Sequence, residues 1–261
     1  MIIIKFLKDR FAFILGLTII IVFVILLIIF ESPFFKNYQT HTYEEALQIQ
    51  TKSDSPAVTQ KDNKFVYAKK EDIDKYMDIE KSQTDLQFMD ISKKVNISEK
   101  DVKEILKDKG VLKGKEKAFL DAQEKHGVNV IYLMSHAFIE TGNGNSELAS
   151  GVKMSNGKTF YNFYGIGAFD QDAVETGSSF ARKQDWTSPE KAIHGGAKFV
   201  KKDYLNNDQN TLYKMRWNPY NPGQHLYATD VNWATSIGKI MEHYYDKYDL
   251  KKADINKNYY K

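Results

Sequence analysis

The chain has 261 residues, and 37 Lys and Arg residues against 34 Asp and Glu residues give a formal net charge of +3. This near-neutral balance argues against nucleic acid as a partner, because phosphate binding requires a concentrated basic face. Cysteine is absent, which excludes disulfide frameworks, thiolate zinc sites and hydrolases with a cysteine nucleophile. About 230 residues follow the first thirty, which is enough for one sizeable core.

Residues 11–30 form an uncharged, almost entirely apolar stretch that follows Lys5, Lys8 and Arg10. As a helix rising about 1.5 Å per residue it spans roughly 30 Å, the thickness of a bilayer's hydrocarbon core. The alternative, a cleaved signal peptide, requires a shorter apolar stretch and a small-residue cleavage site. We therefore expect residues 1–30 to be a cytoplasmic tip and a single-pass anchor in the cell membrane, with the rest of the chain extracellular.

Residues 31–92 are predicted to form a small extracellular attachment. They are mostly polar, with turn signals in SDSP (53–56) and KDNK (61–64). The segments AVTQ and FVYA lie on either side of KDNK, and they predict the two short strands of a hairpin.

Residues 93–261 carry the clear helical signals. Capping residues, glycine stops and apolar spacing predict helices over residues 98–110, 115–126, 130–141, 188–205 and 230–244. A short β-like interruption, residues 155–172, separates the third helix from the fourth. This pattern predicts a mainly helical α+β fold, a lysozyme-like domain with a small β-lobe, preceded by the transmembrane helix and the attachment.

Glu140 is the first candidate for catalysis. It lies in the last turn of the helix predicted over 130–141, where the negative end of the helix dipole and apolar neighbours favour the protonated carboxyl group. A carboxylic acid in such a place suits general acid catalysis. Gly142 and Gly144 would let the backbone turn and leave room for a ligand. The spacing fits a solvated glutamate before a glycine cap equally well.

A resemblance to a known family rests on HAFIETGNGNSELASG (136–151). This segment is similar to the catalytic-helix motif of glycoside hydrolase family 73, the endo-β-N-acetylglucosaminidases that cut bacterial peptidoglycan. Further similar blocks are FYNFYGIGAFD, WTSPEKAIHGGAKFV, NTLYKMRWNP and HLYATDVNWA. With its expected anchor, the chain resembles the membrane-bound, SagB-type members of this family in Gram-positive cocci. The resemblance implies a lysozyme-like fold, hydrolysis of the β-1,4 bond after N-acetylglucosamine, and Glu140 as the general acid.

The second catalytic group has several candidates. Glycosidases usually pair two carboxylates, and Glu175, beside Asp170 and Asp172, has the sequence offset that family members often show. These residues could equally be solvated surface acids. Alternatively, the substrate's own 2-acetamido group can attack the anomeric carbon, and Tyr227 matches a family tyrosine near the cleft. We interpret Asp230 as a helix cap rather than a catalyst.

Aromatic residues supply the expected sugar platform, because flat rings with a polar tip suit hexose faces. The predicted substrate-binding residues are Asn162, Phe163 and Tyr164 in the aromatic segment, Gly144 after the catalytic helix, and Trp217 in NTLYKMRWNP. Period-two alternation along a strand would bury about half of such aromatic residues instead.

We expect no cofactor and no metal. The expected partners are peptidoglycan glycan strands, the lipid bilayer through residues 11–30, and a membrane protein that contacts the anchor. The six histidines are scattered, so a zinc amidase is a minor alternative; His136, four residues before Glu140, fits a buried structural role or a hydrogen bond to it. A lytic transglycosylase and an inactive glycan-binding scaffold remain the alternative functions.

Overall fold

The computed structural model describes residues 15–26, 40–155, 157–168 and 172–261. Residues 15–26 are helical, and their Leu, Ile, Val and Phe side chains are exposed. Within the described ranges, no helix has both the length and the apolar character needed to cross a bilayer. The remainder of the expected span over 11–30 and the start of the attachment lie outside the described residues.

From residue 40 onward the described chain is mainly helical. The α-helices are α1 (Tyr43–Thr51), α2 (Lys70–Met77), α3 (Glu99–Ile105), α4 (Glu116–His126), α5 (Val130–Thr141), α6 (Glu147–Ser150), α7 (Ala173–Lys183), α8 (Pro189–Phe199), α9 (Leu212–Trp217) and α10 (Trp233–Lys247). Shorter helical turns are the 3-10 segments Asp85–Phe88, Gly110–Leu112 and Leu205–Asn207 and the π segment Val200–Tyr204.

The capping residues explain where several helices begin and end. The hydroxyl oxygens of Ser98 and Ser188 each accept a hydrogen bond from the backbone N–H three residues later, which fixes the starts of α3 and α8. Gly127 and Gly142 end α4 and α5 in the left-handed conformation, with φ of 62° and 54°. These ends match the predicted ones.

Two predicted helices differ from the structure. The helix expected over 98–110 ends at Ile105, and a 3-10 turn over Gly110–Leu112 follows. The last helix begins at Trp233, because Asp230 accepts a hydrogen bond from Asn232 N outside the helix. Helices α1, α2, α6, α7 and α9 were not predicted from the sequence.

Within the ranges that the structure describes, four short strands make two small antiparallel sheets. The hairpin expected in the attachment is present as β1 (Val58–Lys61) and β2 (Lys64–Tyr67), with Val58 opposite Tyr67. Asp62 and Asn63 both have positive φ, as a two-residue hairpin turn requires. Strands β3 (Val152–Lys153) and β4 (Thr159–Phe160) form the small sheet of the predicted β-lobe.

Helix α5 is the buried centre of the larger hydrophobic cluster. Its residues from Val130 to Phe138 are all buried, whereas Glu140 near its C-terminus reaches solvent. Helices α4 and α10 pack against α5. Because the helix is apolar on every side, it cannot shift without breaking packing, so the position of Glu140 is set by the core itself.

A second hydrophobic cluster joins remote parts of the chain. Its buried residues are Ala46, Leu47, Ala57, Ile73, Met77, Phe88, Tyr213, Trp217, Val231 and Tyr259. They come from α1, α2, α9, the C-terminal segment, the 3-10 turn Asp85–Phe88 and the residues just before β1 and α10. Residues of the predicted attachment therefore pack with residues of the predicted 93–261 domain. Tyr213 links them directly, because its hydroxyl donates to Met77 O at 2.6 Å and its ring stacks on Tyr259.

Candidate active site

A cleft of about 1150 Å³ opens at the C-terminal end of α5. Its described lining comes from the end of α5, the loop from Tyr164 to Ala168, Phe199 and Tyr204, residues 226–230 with Trp233, and the β1–β2 hairpin with Ser55 before it. The lining is mostly apolar and aromatic, with Glu140 and Asp230 as the two carboxylates among the described lining residues. Such a cleft, apolar with few polar groups, is typical of a ligand site.

The two carboxyl oxygens of Glu140 have different surroundings. Its Oε1 accepts a hydrogen bond of 2.9 Å from Trp233 Nε1, and 24% of its side chain is exposed. A Cβ atom placed on Gly165 would lie 2.7 Å from Glu140 Oε2, and the φ of this glycine is +63°. Only glycine therefore lets the loop approach the carboxyl group so closely.

His136 lies directly behind Glu140 on the same face of α5. Its ring is fully buried; Nδ1 is 3.0 Å from the Tyr132 hydroxyl, and Nε2 is 3.4 Å from Glu140 Oε1. The rings of Tyr164, Tyr227 and Trp233 surround it with centroids 4.8–5.3 Å away. His136 is thus a buried packing centre that also touches the carboxyl group.

Tyr227 reaches the cleft beside Glu140. Its hydroxyl donates a 2.9 Å hydrogen bond to Tyr164 O, and its ring stacks on Trp233 at 5.0 Å. Burial raises the pKa of this phenol well above its usual value, so Tyr227 keeps its proton and acts as a hydrogen-bond donor. The structure therefore brings together three of the predicted site residues: Glu140, Tyr164 and Tyr227.

Asp230 lines the same cleft as Glu140. Burial raises the pKa of its carboxyl group, and the charge of Glu140 acts in the same direction. Its Oδ1 accepts a hydrogen bond of 3.1 Å from Asn232 N, in the turn before α10. The N-cap of α10 is Asn232, so the interpretation of Asp230 as the helix cap is wrong, and Asp230 lines the cleft instead.

The wall around Asp230 is held from behind by Arg216. This buried guanidinium donates to Asp230 O at 2.7 Å and to Thr229 O at 2.8 Å, and it stacks 3.9 Å over the Trp217 ring. Burial lowers the pKa of Arg216 to about 9. The predicted binding residue Trp217 is thus fully buried behind the wall and does not line the cleft.

Several other predicted residues lie away from the cleft lining. Glu175 is exposed on helix α7 rather than in the β-lobe, and Asp170 lies outside the described residues. Phe163 is buried in the main core. Gly144, with φ of +81°, packs against the backbone of Lys109.

Asn162 has an organising role in the cleft loop. It is 2% exposed, its amide donates to Ile166 O at 2.8 Å and to Gly177 O, and its Oδ1 accepts from Tyr164 N. These bonds hold the loop that carries Gly165 against Glu140.

Within the described residues, no group of three His, Asp or Glu side chains is placed to hold a metal ion.

Sequence reasoning missed Trp233 and the hairpin as parts of the site. Trp233 carries an apolar helix pattern, and its role depends on an indole N–H that meets Glu140 from 93 positions away. The hairpin lies outside the motif blocks altogether. Gly165 and Gly167 around Ile166 predict a close backbone approach to a glycan or to packed neighbours. In the structure, Gly165 approaches the carboxyl group of Glu140.

Comparisons with known proteins agree with this geometry. A family model described as mannosyl-glycoprotein endo-beta-N-acetylglucosaminidase matches residues 116–246. The bifunctional autolysin of Staphylococcus epidermidis is 42% identical over 222 residues, which are 80% of this chain and 17% of that protein. The bifunctional autolysin of Staphylococcus aureus (strain NCTC 8325 / PS 47) is 41% identical over 223 residues, 81% of this chain and 18% of that protein. The chain thus spans less than a fifth of the length of these relatives.

Solved structures are similar over most of this chain. Autolysin E of S. aureus, in complex with the muropeptide NAM-L-Ala-D-iGlu, is 50% identical with a TM-score of 0.79, over 85% of this chain and 98% of that one. A catalytic mutant of autolysin E, in which alanine replaces a glutamate, was solved with the disaccharide NAG-NAM; it is 49% identical with a TM-score of 0.79, over 85% and 99% of the two chains. S. aureus glucosaminidase B is 39% identical with a TM-score of 0.63, over 82% and 88%.

Proposed function

Since this chain belongs to the glucosaminidase family, glycoside hydrolase family 73, we propose that it is a membrane-anchored endo-β-N-acetylglucosaminidase of peptidoglycan. The bond that it hydrolyses is the β-1,4 linkage from N-acetylglucosamine to N-acetylmuramic acid. Autolysin E, half identical to this chain, binds a muropeptide and a NAG-NAM disaccharide in its solved complexes, which supports this choice of substrate.

The observation that carries the proposal is the asymmetric setting of Glu140. Trp233 donates a hydrogen bond to Oε1, whereas Oε2 lies against the Gly165 loop, which lines the cleft. Oε2 is therefore the oxygen that carries and donates the proton. Glu140 acts as the general acid and protonates the glycosidic oxygen as the bond to C1 of N-acetylglucosamine breaks.

We assign the second catalytic function to the substrate and Asp230. Asp230 is the other carboxylate of the described cleft lining, and Glu175 lies outside it. The 2-acetamido oxygen attacks C1, and the Asp230 carboxylate accepts the acetamido N–H and stabilises the cationic ring that forms. Glu140, now ionised, takes a proton from water, which opens this ring and leaves a product with retained configuration.

The anchor remains part of the proposal on the strength of the sequence. Residues 11–30 carry no charge and follow three basic residues, a pattern that favours a cytoplasmic N-terminus and an extracellular cleft. An anchored enzyme meets newly made strands first, because tethering raises the effective concentration of substrates within reach. We expect it to shorten or release nascent strands, with a membrane-protein partner acting through the anchor.

Protease treatment of intact protoplasts tests this topology. The expected result is loss of residues 40–261 and retention of a short protected N-terminal fragment. Protection of the cleft-bearing part would refute the extracellular placement, and its release into the medium without protease would refute the uncleaved anchor.

Mass spectrometry of the digestion products tests the reaction itself. Purified peptidoglycan treated with the detergent-solubilised chain should yield fragments that end in a reducing N-acetylglucosamine. Anhydro-muramyl ends would select the lytic transglycosylase instead, and binding without any product would select the inactive scaffold. Proton NMR of the first product formed should show the β-anomer, whereas the α-anomer would exclude the retaining mechanism assigned to Asp230.

A further inference from the structure

We propose that the β1–β2 hairpin is a glycan-binding subsite, in which Phe65 and Tyr67 hold sugars of the strand beyond the disaccharide at the cleaved bond. This inference rests on the proposed function, because it takes the cleft around Glu140 to be the place where the glycan is cut. It assigns a substrate contact to a segment that lies before the 116–246 match to the family model.

The hairpin and Glu140 face a single cavity. Phe65, Val66 and Tyr67 line the same cleft as Glu140, Tyr227 and Trp233. Phe65 is 65% exposed and Tyr67 is 76% exposed, although large aromatic side chains are normally buried in a folded protein. Both rings lie outside the two hydrophobic clusters, so packing of the protein core does not explain why aromatic residues occupy these two positions.

The two rings are arranged as a surface rather than as isolated side chains. Residues at positions i and i+2 of a strand point to the same face, so Phe65 and Tyr67 stand side by side, about 7 Å apart along the strand. Their cross-strand neighbours are Gln60 and Val58. A pair of flat rings at this spacing suits the faces of consecutive sugars, and the tyrosine hydroxyl and Gln60 amide supply hydrogen-bonding groups beside them.

The hairpin is fixed to the catalytic wall by its backbone. Val58 N donates to Thr229 O at 3.0 Å, and Val231 N donates to Val58 O at 2.9 Å, on either side of Asp230. The Thr229 carbonyl also accepts from Arg216, so the same wall segment is held from both sides. The rings therefore keep a fixed position relative to Asp230, which a subsite of the same substrate requires.

The size of the cavity favours a long ligand. Sites for one drug-sized molecule occupy about 300–1000 Å³, and this cleft measures about 1150 Å³. A disaccharide at Glu140 would leave the hairpin end free. Because the substrate of an endo-acting enzyme is a continuous strand, the next sugars would extend from the cleaved bond along this free end.

The test is the affinity of the full chain, in detergent, for peptide-free glycan oligosaccharides of two lengths. Glu140→Gln serves as the background, so that hydrolysis does not consume the ligand during calorimetry. Adding Phe65→Ala and Tyr67→Ala should raise the Kd for a dodecasaccharide roughly tenfold, which corresponds to covering about 30 Å² of each ring. The Kd for a disaccharide should change less than about twofold.

A matched variant, Phe65→Tyr with Tyr67→Phe, keeps both rings and moves the hydroxyl group from position 67 to position 65. It should bind the dodecasaccharide within about twofold of the unmodified background. A second control is Val174→Ala, which truncates an exposed apolar side chain away from the cleft lining and should change neither Kd. Circular dichroism checks that each variant is folded.

Three results would overturn the inference. An unchanged dodecasaccharide Kd would exclude sugar binding by the rings, and an equal change for both lengths would place their effect at the cleaved bond. Loss of binding to anionic lipid vesicles, with glycan affinity intact, would assign the rings to the membrane surface. Failure of the proposed function is distinguishable, because it would appear as absence of hydrolysis by the chain with Glu140 intact, whatever the binding data show.

Discussion

At the residue scale, the central contact is the hydrogen bond from Trp233 Nε1 to Glu140 Oε1. Trp233→Phe keeps an aromatic ring in place but removes the only N–H of the side chain. The Glu140 carboxyl group then loses the hydrogen bond that orients it, so we expect kcat to fall roughly tenfold or more while KM changes little. Steady-state hydrolysis of purified glycan strands measures both constants.

Trp217→Phe is the matched control for this substitution. Trp217 is fully buried, its Nε1 has no hydrogen-bond partner in the described structure, and it stands behind Arg216 rather than in the cleft. The change should lower stability through lost volume and leave kcat near that of the original chain. If the two variants lost the same activity at equal folded fraction, the Trp233 contact would have no positioning role.

Asp230 gives a pH-dependent stability prediction. Its pKa is raised from 3.8, so the folded state favours the neutral acid. The stabilisation that this provides is complete below pH 3.8 and is lost as the pH rises through the raised value. Asp230→Asn removes the charge but keeps an oxygen for Asn232 N, so its melting temperature should exceed that of the original chain at neutral pH.

The difference in melting temperature between these two chains should disappear as the pH falls below about 3.8, where Asp230 is protonated in both folded and unfolded states. Scanning calorimetry across this range measures it. A difference that stays constant with pH, or that grows in acid, would show that ionisation of Asp230 does not cause it.

At the element scale, capping residues and glycine stops in the sequence predicted the ends of several helices. The caps at Ser98 and Ser188 and the glycine stops after α4 and α5 were predicted correctly. Each of them provides hydrogen bonds for backbone groups at a helix end that lies within a few residues of it. Helix α7 was missed because it follows a segment read as β-like, and its mixed sequence has no strong stop signal.

Site residues that lie inside a contiguous sequence motif could be predicted, whereas those that only the fold brings to the site could not. Glu140, Tyr164 and Tyr227 lie inside recognisable blocks, and they meet in the cleft. The contribution of the hairpin depends on Val58 pairing with residues some 170 positions later, which no local pattern encodes. The prediction that Trp217 binds substrate is wrong. This residue lies inside a matching block, but its ring is buried under Arg216.

The second cluster ties the C-terminal segment to the first helices after residue 40. Tyr259 is 1% exposed and stacks on Tyr213 with an interplanar angle of 11°. Tyr259→Ala should therefore cost about 3–5 kcal/mol of unfolding free energy, measured by urea denaturation. Tyr67→Ala removes the same side chain from an exposed strand and should change stability by less than about 0.5 kcal/mol. Comparable losses in the two variants would mean that Tyr259 is not a core residue.

At the scale of the whole molecule, the cleft is assembled from segments that are far apart in the sequence. A buried helix presents Glu140, the loop around Gly165 covers it, the start of α10 orients it, and the hairpin extends the cavity. The expected anchor would then hold this assembly at the outer face of the membrane. The hairpin would thus supply a binding surface, α5 the proton donor and the anchor the location. Because these are separate parts of one chain, each can be tested separately.

The most direct measurement is the rate at which Glu140→Gln releases reducing ends from purified peptidoglycan, compared with the original chain at equal folded fraction. Glutamine has nearly the same shape and can still accept the Trp233 hydrogen bond at its amide oxygen, but it cannot donate a proton as a carboxylic acid does. We predict a loss of at least about 100-fold with an unchanged melting temperature to within a few degrees. Activity near that of the original chain would contradict the assignment of Glu140 as the general acid.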